Sequence, residues 1–521
     1  MIALINPPRI RNFSGLQPAT SPNPPVGLAD IAGALKEKNY EYEVIDAPGI
    51  DLENIVRFSH KSFKDTDKFY YQGISPEDVV KKIPENTKII GISCLFSVSW
   101  ILTNRVAYLA RKKFPSAILV LGGEHGSACP EYCLDNSAFD IIAVGEGATL
   151  FVNLVEAVIQ KKDIFAVHGI VHKKNGKIIH NPRQPRIVHI DSIARPDWDS
   201  FPIENYIDKH QNNGVNIGRS MPIISTRGCP HQCTFCSSPN MWTTRYTLRD
   251  ADDLIDEMKL YMRKYNVTNF DLQDLTAITK RSWAIDFCKK LIDNKLNITW
   301  QLPSGTRSEA FDEELVDLIY RSGCKFLALA PESVSPEVLE KIKKRVNLDN
   351  LFTAATNAIN AKISVCVFIV IGFPCDTKKT IRETTKFIRK CALAGIQDIV
   401  VSKFSPYPGS ELFYQLQEEG KVELSDSFFV SDTDHYAKGN PSYSPELSNK
   451  RLYWTMIWMF LNFYITSGLR YPHRFLKTIF FALFKEKLET RYARWIIDKF
   501  VTRKIWEKRS TLTKKKSIES F

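Results

Sequence analysis

Arg227-Gly228-Cys229-Pro230-His231-Gln232-Cys233-Thr234-Phe235-Cys236 is the stretch on which the reading of this 521-residue chain turns. It sets three cysteines at C-x3-C-x2-C spacing, with no fourth nearby. Iron–sulfur cubanes are normally held by four thiolates, so three on one short loop point to a [4Fe–4S] cluster with one iron left open. An open coordination position is what separates chemistry from scaffolding at a metal. Two other readings share the loop. A zinc knuckle wants C-x2-4-C pairs and a fourth Cys or His, and His231 inside the loop follows no such pattern. A bacterial ferredoxin loop runs C-x2-C-x2-C instead.

Around this loop the composition is that of a globular protein, 44% apolar and 25% charged, long enough for two or three domains. The other eight cysteines (Cys94, Cys129, Cys133, Cys288, Cys324, Cys366, Cys375 and Cys391) show no paired spacing, and the chain's odd total of 11 argues for the reducing cytoplasm. Met1–Pro8 is too short an apolar run for a secretory h-region and reads as a first strand. The net charge of +12 is local, because residues 450–521 hold 17 Lys and Arg against 5 Asp and Glu and the rest of the chain sums to zero.

The first third alternates short apolar strands, at 2–5, 42–45, 88–93, 118–121 and 141–144, with helical patterns at 28–36, 101–113 and 150–161. That alternation predicts a doubly wound parallel sheet over residues 1–165, whose ligand sits beyond the carboxyl ends of the strands. The loops expected there are Asn6-Pro7-Pro8, Ser93–Ser97, Gly122-Gly123-Glu124-His125-Gly126 and Gly145-Glu146-Gly147. Their glycines allow close backbone approach to a bulky or phosphate-bearing ligand. A hairpin turning at Lys174-Asn175-Gly176 and an irregular, Pro-rich stretch make 166–220 an ordered linker. From 221 to 415 a second βα series has strands expected at 222–226, 269–272, 298–302, 326–329, 365–371 and 398–404, which fits a partial (β/α)6 TIM-like barrel. The cysteine loop then follows its first strand, at the end where βα barrels carry their active sites.

The cysteine spacing, with Phe235 before the third cysteine, resembles the radical S-adenosylmethionine (SAM) superfamily. The resemblance implies that the open iron chelates SAM and that SAM cleavage yields a 5′-deoxyadenosyl radical. Further family-like motifs follow along the barrel. Asp274, ahead of Asp271, falls where the family holds the SAM amino group, and Arg307 falls where a cation pairs the SAM carboxylate or a substrate anion. Ala330-Pro331-Glu332-Ser333 is similar to the family's Gly-x-Glu-Ser, making Glu332 and Ser333 candidates for ribose or amino contacts. Gly372-Phe373-Pro374 matches the motif bordering adenine, with Cys375-Asp376 in place of the usual Gly-Glu, and Pro406-Tyr407-Pro408-Gly409-Ser410 matches the sixth-strand motif.

Residues 1–160 resemble the cobalamin-binding domain that precedes the barrel in many of these enzymes. The carriers are Ile5–Pro8, Pro24–Leu28, Gly122–His125 with Pro130-Glu131, and Gly145–Thr149. The Asp-x-His-x-x-Gly lower-ligand motif is absent, as is usual in this subclass. By analogy Leu95 and Phe96 lie near the lower face of cobalamin, while Asn6, Pro8, Gly122, Gly123, Glu124, Gly145, Glu146 and Gly147 line the cofactor. His125 is an alternative cobalt ligand, though such a histidine more often bonds backbone or phosphate. An empty flavodoxin-like pocket is the other reading of this domain.

Residues 416–521 form a basic, aromatic-rich helical region. Leu452–Leu469 is 18 residues without a charge, the lower limit for a membrane span, but Thr, Asn, Ser and Gly dilute it. It reads as a helical cap on the barrel, or as a peripheral membrane contact together with the basic aromatic run 491–516. Nucleic acid is not expected, the Lys514-Lys515-Lys516 run being read as solvated. Together these readings predict an α/β enzyme: a cobalamin-type domain, a radical SAM barrel and a helical C-terminal cap. The resemblance implies [4Fe–4S], SAM and cobalamin as cofactors, an external electron donor of the flavodoxin or ferredoxin type, and a small or lipid-like substrate. The expected reaction is methyl transfer to an unactivated carbon. The alternatives are a cyclase or rearrangement enzyme and a non-catalytic iron–sulfur protein.

Overall fold

Runs such as Ile2-Ala-Leu-Ile and Ile118-Leu-Val-Leu are apolar on both faces, as strands must be when helices cover a sheet on both sides. In a computed structural model, which describes residues 1–12, 22–60, 69–431, 435–436 and 440–474, they form the first of two large sheets. The strands of these sheets are numbered β1–β13 in chain order. The first comprises β1 (Ile2–Asn6), β2 (Tyr42–Asp46), β3 (Ile89–Ser93), β4 (Ile118–Gly122), β5 (Ile141–Ala143), β6 (Ile170–Lys174) and β7 (Lys177–His180). Its order is β7-β6-β5-β4-β3-β1-β2, parallel from β2 to β5. The strand order reverses between β1 and β3, so the doubly wound topology has its switch point at the loops Asn6–Pro8 and Cys94–Phe96. The hairpin expected in the linker extends this sheet by two antiparallel strands, β6 and β7.

The second sheet runs in simple sequence order: β8 (Ser220–Ile223), β9 (Asn269–Leu272), β10 (Thr299–Thr306), β11 (Cys324–Glu332), β12 (Ser364–Ile371) and β13 (Asp398–Lys403). All neighbouring pairs are parallel, giving the expected open six-stranded barrel. A three-stranded antiparallel sheet (Arg9–Asn12, Ile55–Arg57, Phe69–Gln72) was not legible as strands, because it has no alternating pattern of useful length.

The linker is a joint between the two sheets. Trp198 is fully buried, and its indole N–H donates to the Tyr261 hydroxyl on the barrel helix Ala251–Tyr265 at 3.1 Å. Next to it Asp197 accepts from Lys36 and Tyr42 of the first domain, each at 2.5 Å. One apolar core therefore runs from Leu4 and Leu28 through Trp198 to Met258 and Trp300.

The helix Asn449–Arg470 caps the barrel. It buries Leu452, Met456, Met459 and Phe463, and its Asn462 accepts from Arg389 Nε at 2.7 Å on the neighbouring helix Lys378–Leu393. Trp454, Trp458, Leu461, Ile465 and Leu469 stay exposed on its other side. Among the described residues, no helix is long and apolar enough to cross a membrane. The basic run 491–516 lies outside the described residues.

Candidate functional site

The cysteine loop leaves β8 under tight backbone control. Gly228 has φ +86°, and a Cβ there would lie 2.1 Å from the Arg245 carbonyl oxygen, so a side chain is excluded twice over. Just before it, Thr226–Arg227 pairs antiparallel with Thr247–Leu248. Inside the loop, Cys236 N donates to Cys233 O at 3.1 Å. Thr234 is held from both sides, by Ile342 O at 3.1 Å and Leu412 N at 2.8 Å. The Phe235 ring meets Phe373, with centroids 5.6 Å apart, which anchors the loop on the end of β12. Cys229, Cys233 and Cys236 are all partly exposed free thiols. Three sulfur donors on one half-open loop are a donor set that suits a three-thiolate cluster.

Asp274 sits behind this loop. Its carboxylate is buried and accepts from the Ser225 amide (2.9 Å), the Ser225 hydroxyl (3.0 Å), the Thr226 hydroxyl (2.7 Å) and the Thr226 amide. It holds the lead-in of the cysteine loop. Asp271 lies deeper, accepting from Gln301 Nε2 at 2.6 Å and Asn269 Nδ2 at 2.9 Å. Burial pushes both carboxyls up to about 6.

Arg307, Glu332 and Lys344 gather near Cys233, whose thiol feels the charge of all three. Glu332 is left-handed, with φ +62°, a conformation that costs energy for a non-glycine residue and clusters at functional sites. Its carboxylate lies 3.6 Å from Lys344 Nζ. Arg307 pairs with Glu309 at 2.9 Å. Ser333 is buried and accepts from Ser335 N at 3.3 Å. Gly372 lies against the cap helix, where a Cβ would meet Leu452 Cδ2 at 2.4 Å, and Asp376 accepts the amides of Gly372 (2.7 Å) and Phe373 (3.0 Å).

The first sheet presents its carboxyl-end loops to the same place. Asn240, just beyond the cysteines, donates to Ser127 O at 2.9 Å, and Glu124 is close enough for its charge to act on Cys236. Leu95 and Phe96 are 55% and 58% exposed, unusual for large apolar side chains next to a domain joint. Gly122 has no heavy atom within 4 Å of where a Cβ would stand. Gly123 is the opposite: φ is +107° and a Cβ would lie 2.5 Å from Cys94 O. Gly145 has φ +93°. A Cβ on Gly147 would lie 2.9 Å from Ile31 Cδ1, so that glycine serves helix packing.

Asn6, Pro8 and Glu146 each have protein neighbours of their own. Asn6 turns its amide to Asp46 at 2.7 Å, where Tyr206 OH also donates, so it ties the sheet to the linker. Pro8 is buried. Glu146 accepts from Arg186 Nε and the Ile187 amide, each at 3.0 Å, and also faces Arg227. That leaves its charge neutralised at the domain joint. His125 is buried between Trp100 and Phe429, with centroids 4.9 and 4.7 Å away, below the open face.

Residues missed in the sequence complete the site. Thr306 Oγ1, Ser308 Oγ and Ser405 Oγ, just past or at the ends of β10 and β13, are buried with no hydrogen-bond partner among the described residues, as is Thr234 Oγ1; the same holds for Glu124 Oε1 and His231 Nε2, already singled out in the sequence. Buried polar atoms are nearly always paired, so such orphans around one mouth mark ligand-facing positions. The only signal for them in the sequence is a small hydroxyl at a strand's carboxyl end.

Comparison with known proteins fits this geometry. The Radical SAM superfamily model matches residues 223–388 and the B12 binding domain model matches residues 16–155. The chain is 27% identical over 433 residues to the cytidylyl-2-hydroxyethylphosphonate methyltransferase of Streptomyces wedmorensis, covering 78% of this chain and 80% of that one. It is 28% identical over 411 residues to the anaerobic magnesium-protoporphyrin IX monomethyl ester cyclase of Rubrivivax gelatinosus, covering 77% and 68%. The structure of the cobalamin-dependent S-adenosylmethionine radical enzyme OxsB, with aqua-cobalamin and S-adenosylmethionine bound, has the same fold: TM-score 0.67 at 15% identity, over 97% of this chain and 75% of that one.

Proposed function

We propose that this chain, which belongs to the radical SAM superfamily and carries a B12 binding domain ahead of its radical SAM domain, transfers a methyl group to an unactivated carbon of a small or lipid-like substrate. The observation that carries the proposal is the meeting of two mouths: three free cysteines on one loop, and an open glycine and apolar loop from the first sheet beside them. Cys229, Cys233 and Cys236 would hold the cluster, and Leu95, Phe96 and Gly122 would hold cobalamin. When bound, the cluster and SAM supply a 5′-deoxyadenosyl radical and cobalamin a methyl group, so the difficult chemistry belongs to the cofactors.

The chain's own residues bind, orient and exclude water. Asp274 fixes the approach of the cysteine loop through Ser225 and Thr226. Phe235 and Phe373 wall the loop on its apolar side. Arg307 and Lys344 supply positive charge near Cys233, where an anionic carboxylate of SAM is neutralised, and Glu332 balances Lys344. Thr306, Ser308 and Ser405 offer hydroxyls with unused hydrogen-bonding capacity. Leu95 and Phe96 offer exposed apolar surface that would hold cobalamin by contact area.

The reconstituted protein, given reductant, SAM carrying a labelled methyl group and a panel of candidate substrates, tests this reading. Label in product supports methylation. 5′-Deoxyadenosine with an unlabelled, ring-closed product supports cyclisation, the reading favoured by likeness to the Rubrivivax enzyme. Peripheral membrane contact is a separate proposal, checked by liposome pelleting of the full chain and of a chain lacking 485–521.

A further inference from the structure

Outside the mouth, a second group of sulfur and imidazole donors lies inside the first domain, and nothing in the proposed reaction uses it. His125 lies on the short helix Glu124–Ala128, Cys133 on the next, Pro130–Asp135, and Cys129 is the non-helical residue that joins them, so the bend between the two helices brings the three together. All three are buried, and their ligand atoms lie within 4.8 Å of one another. Cys129 Sγ is 3.7 Å from His125 Nδ1 and 3.9 Å from Nε2. In a tetrahedral zinc site, with Zn–S about 2.3 Å and Zn–N about 2.0–2.1 Å, adjacent donors stand roughly 3.5–3.8 Å apart. The Cys129–His125 pair is thus within a few tenths of an ångström of that spacing, and Cys133 lies within reach of both.

The surroundings point the same way. His125 Nδ1 is 3.0 Å from Ser97 Oγ, the outer hydrogen bond that fixes the tautomer of a ligating histidine and frees Nε2. Among the described residues, the only partner recorded for Nε2 is the Cys129 sulfur. Trp100 and Phe429 clamp the ring on two sides. Cys94 is buried on the adjoining loop, close enough for its thiol to act electrostatically on both Cys129 and Cys133. Packing alone accounts for buried cysteines, which behave as small apolar groups, but not for an imidazole in their midst.

The geometry points to a structural site for a soft divalent cation of the zinc class, held by His125 Nε2, Cys129 and Cys133. Binding releases the thiol protons to solvent, and the cation's charge offsets the buried thiolates. It joins the loop after β3 to the helices after β4, since His125 N already donates to Cys94 O at 3.2 Å. Those two segments carry Leu95, Phe96 and Gly122, so the ion would stiffen the first sheet's mouth from behind.

The test uses the full chain with its iron–sulfur cluster loaded, so that iron occupies the Cys229 loop, followed by exhaustive dialysis. Mass spectrometric metal analysis is expected to find about one zinc per chain, and zinc K-edge absorption a shell of sulfurs at about 2.3 Å with one nitrogen at about 2.0 Å. Changing Cys129 and Cys133 together to Ser should remove that zinc and leave the iron content unchanged. Less than a tenth of a zinc per chain, even after incubation with zinc, overturns the site, as does zinc that survives the double change or is bound by oxygen and nitrogen alone. A Cys129–Cys133 disulfide in anaerobically purified protein overturns it as well. Should the double variant fail to fold, the absorption spectrum of the unchanged protein decides alone.

Discussion

At the mouth of the first sheet, Leu95 and Phe96 stand more than half exposed and Gly122 looks into open space, whereas at the mouth of the second nearly every charge is already held. Asp274 is bound by Ser225 and Thr226, Glu332 faces Lys344, and Arg307 is paired with Glu309. The difference matches the proposed ligands. A large macrocycle would be held by area, and the side proposed to receive it is apolar and unobstructed by side chains. A small zwitterion next to a cluster is held by direction, which requires charges fixed before it arrives.

The sharpest break in that comparison comes from the cysteines. Replacing Cys229, Cys233 or Cys236 with Ala should abolish cluster iron and 5′-deoxyadenosine formation while cobalamin retention by the first sheet persists. If cobalamin retention is lost as well, the two mouths are not separable. Next comes Asp274→Ala, which strands buried donors on Ser225 and Thr226 at about 1–3 kcal/mol each. Urea unfolding should show a loss of about 3 kcal/mol or more. Asp274→Asn keeps an acceptor and should recover part of that loss.

The glycine pair sharpens the contrast within one mouth. Gly123→Ala meets both positive φ and the Cys94 carbonyl, and should destabilise by at least about 2 kcal/mol. Gly122→Val enters open space, so stability should stay within about 0.5 kcal/mol while cobalamin retention after gel filtration falls. A variant at Gly122 that keeps its cobalamin would remove this glycine from the proposed floor.

The last contrast concerns protons and shows only as pH is varied. Asp46 in the first domain and Asp271 in the barrel are both buried carboxyls pushed up to about 6 from 3.8, burial being the largest cause in each. A raised carboxyl takes up a proton on folding, so its contribution to stability is greatest below about pH 4 and is lost as pH rises to about 6. Asp271→Asn preserves the acceptor for Gln301 and Asn269 and should flatten the fall in stability between pH 4 and 6 by about 1.4 kcal/mol per pH unit. Unfolding free energies at three pH values check it; an unchanged slope would mean Asp271 is ionised in the fold.

Much of this architecture was legible because parallel strands buried on both faces write themselves as apolar runs, as at Ile2–Ile5 and Val365–Ile371. The cysteine loop was legible because cluster ligands must lie close in sequence when one loop carries them. Less visible was the direction a polar residue takes. Asn6, Glu146 and Asp274 all stand in ligand-like motifs, yet each is drawn into bonds with residues distant in sequence (Asp46, Arg186 and Ser225). Motif spacing carries no information about such partners. The orphan hydroxyls of Thr306, Ser308 and Ser405 were invisible for the converse reason, since only burial distinguishes them from any other Ser or Thr.

Arg227, the residue immediately before the loop's Gly228, is bonded to Asp30 at 2.7 Å and faces Glu146. The root of the cysteine loop is therefore fastened to the neighbouring domain as well as to its own. Recombination cannot treat these two parts as interchangeable cassettes. A chimera that imports a foreign first domain must bring acidic partners for Arg227, or it inherits a cysteine loop whose base is moored on one side alone.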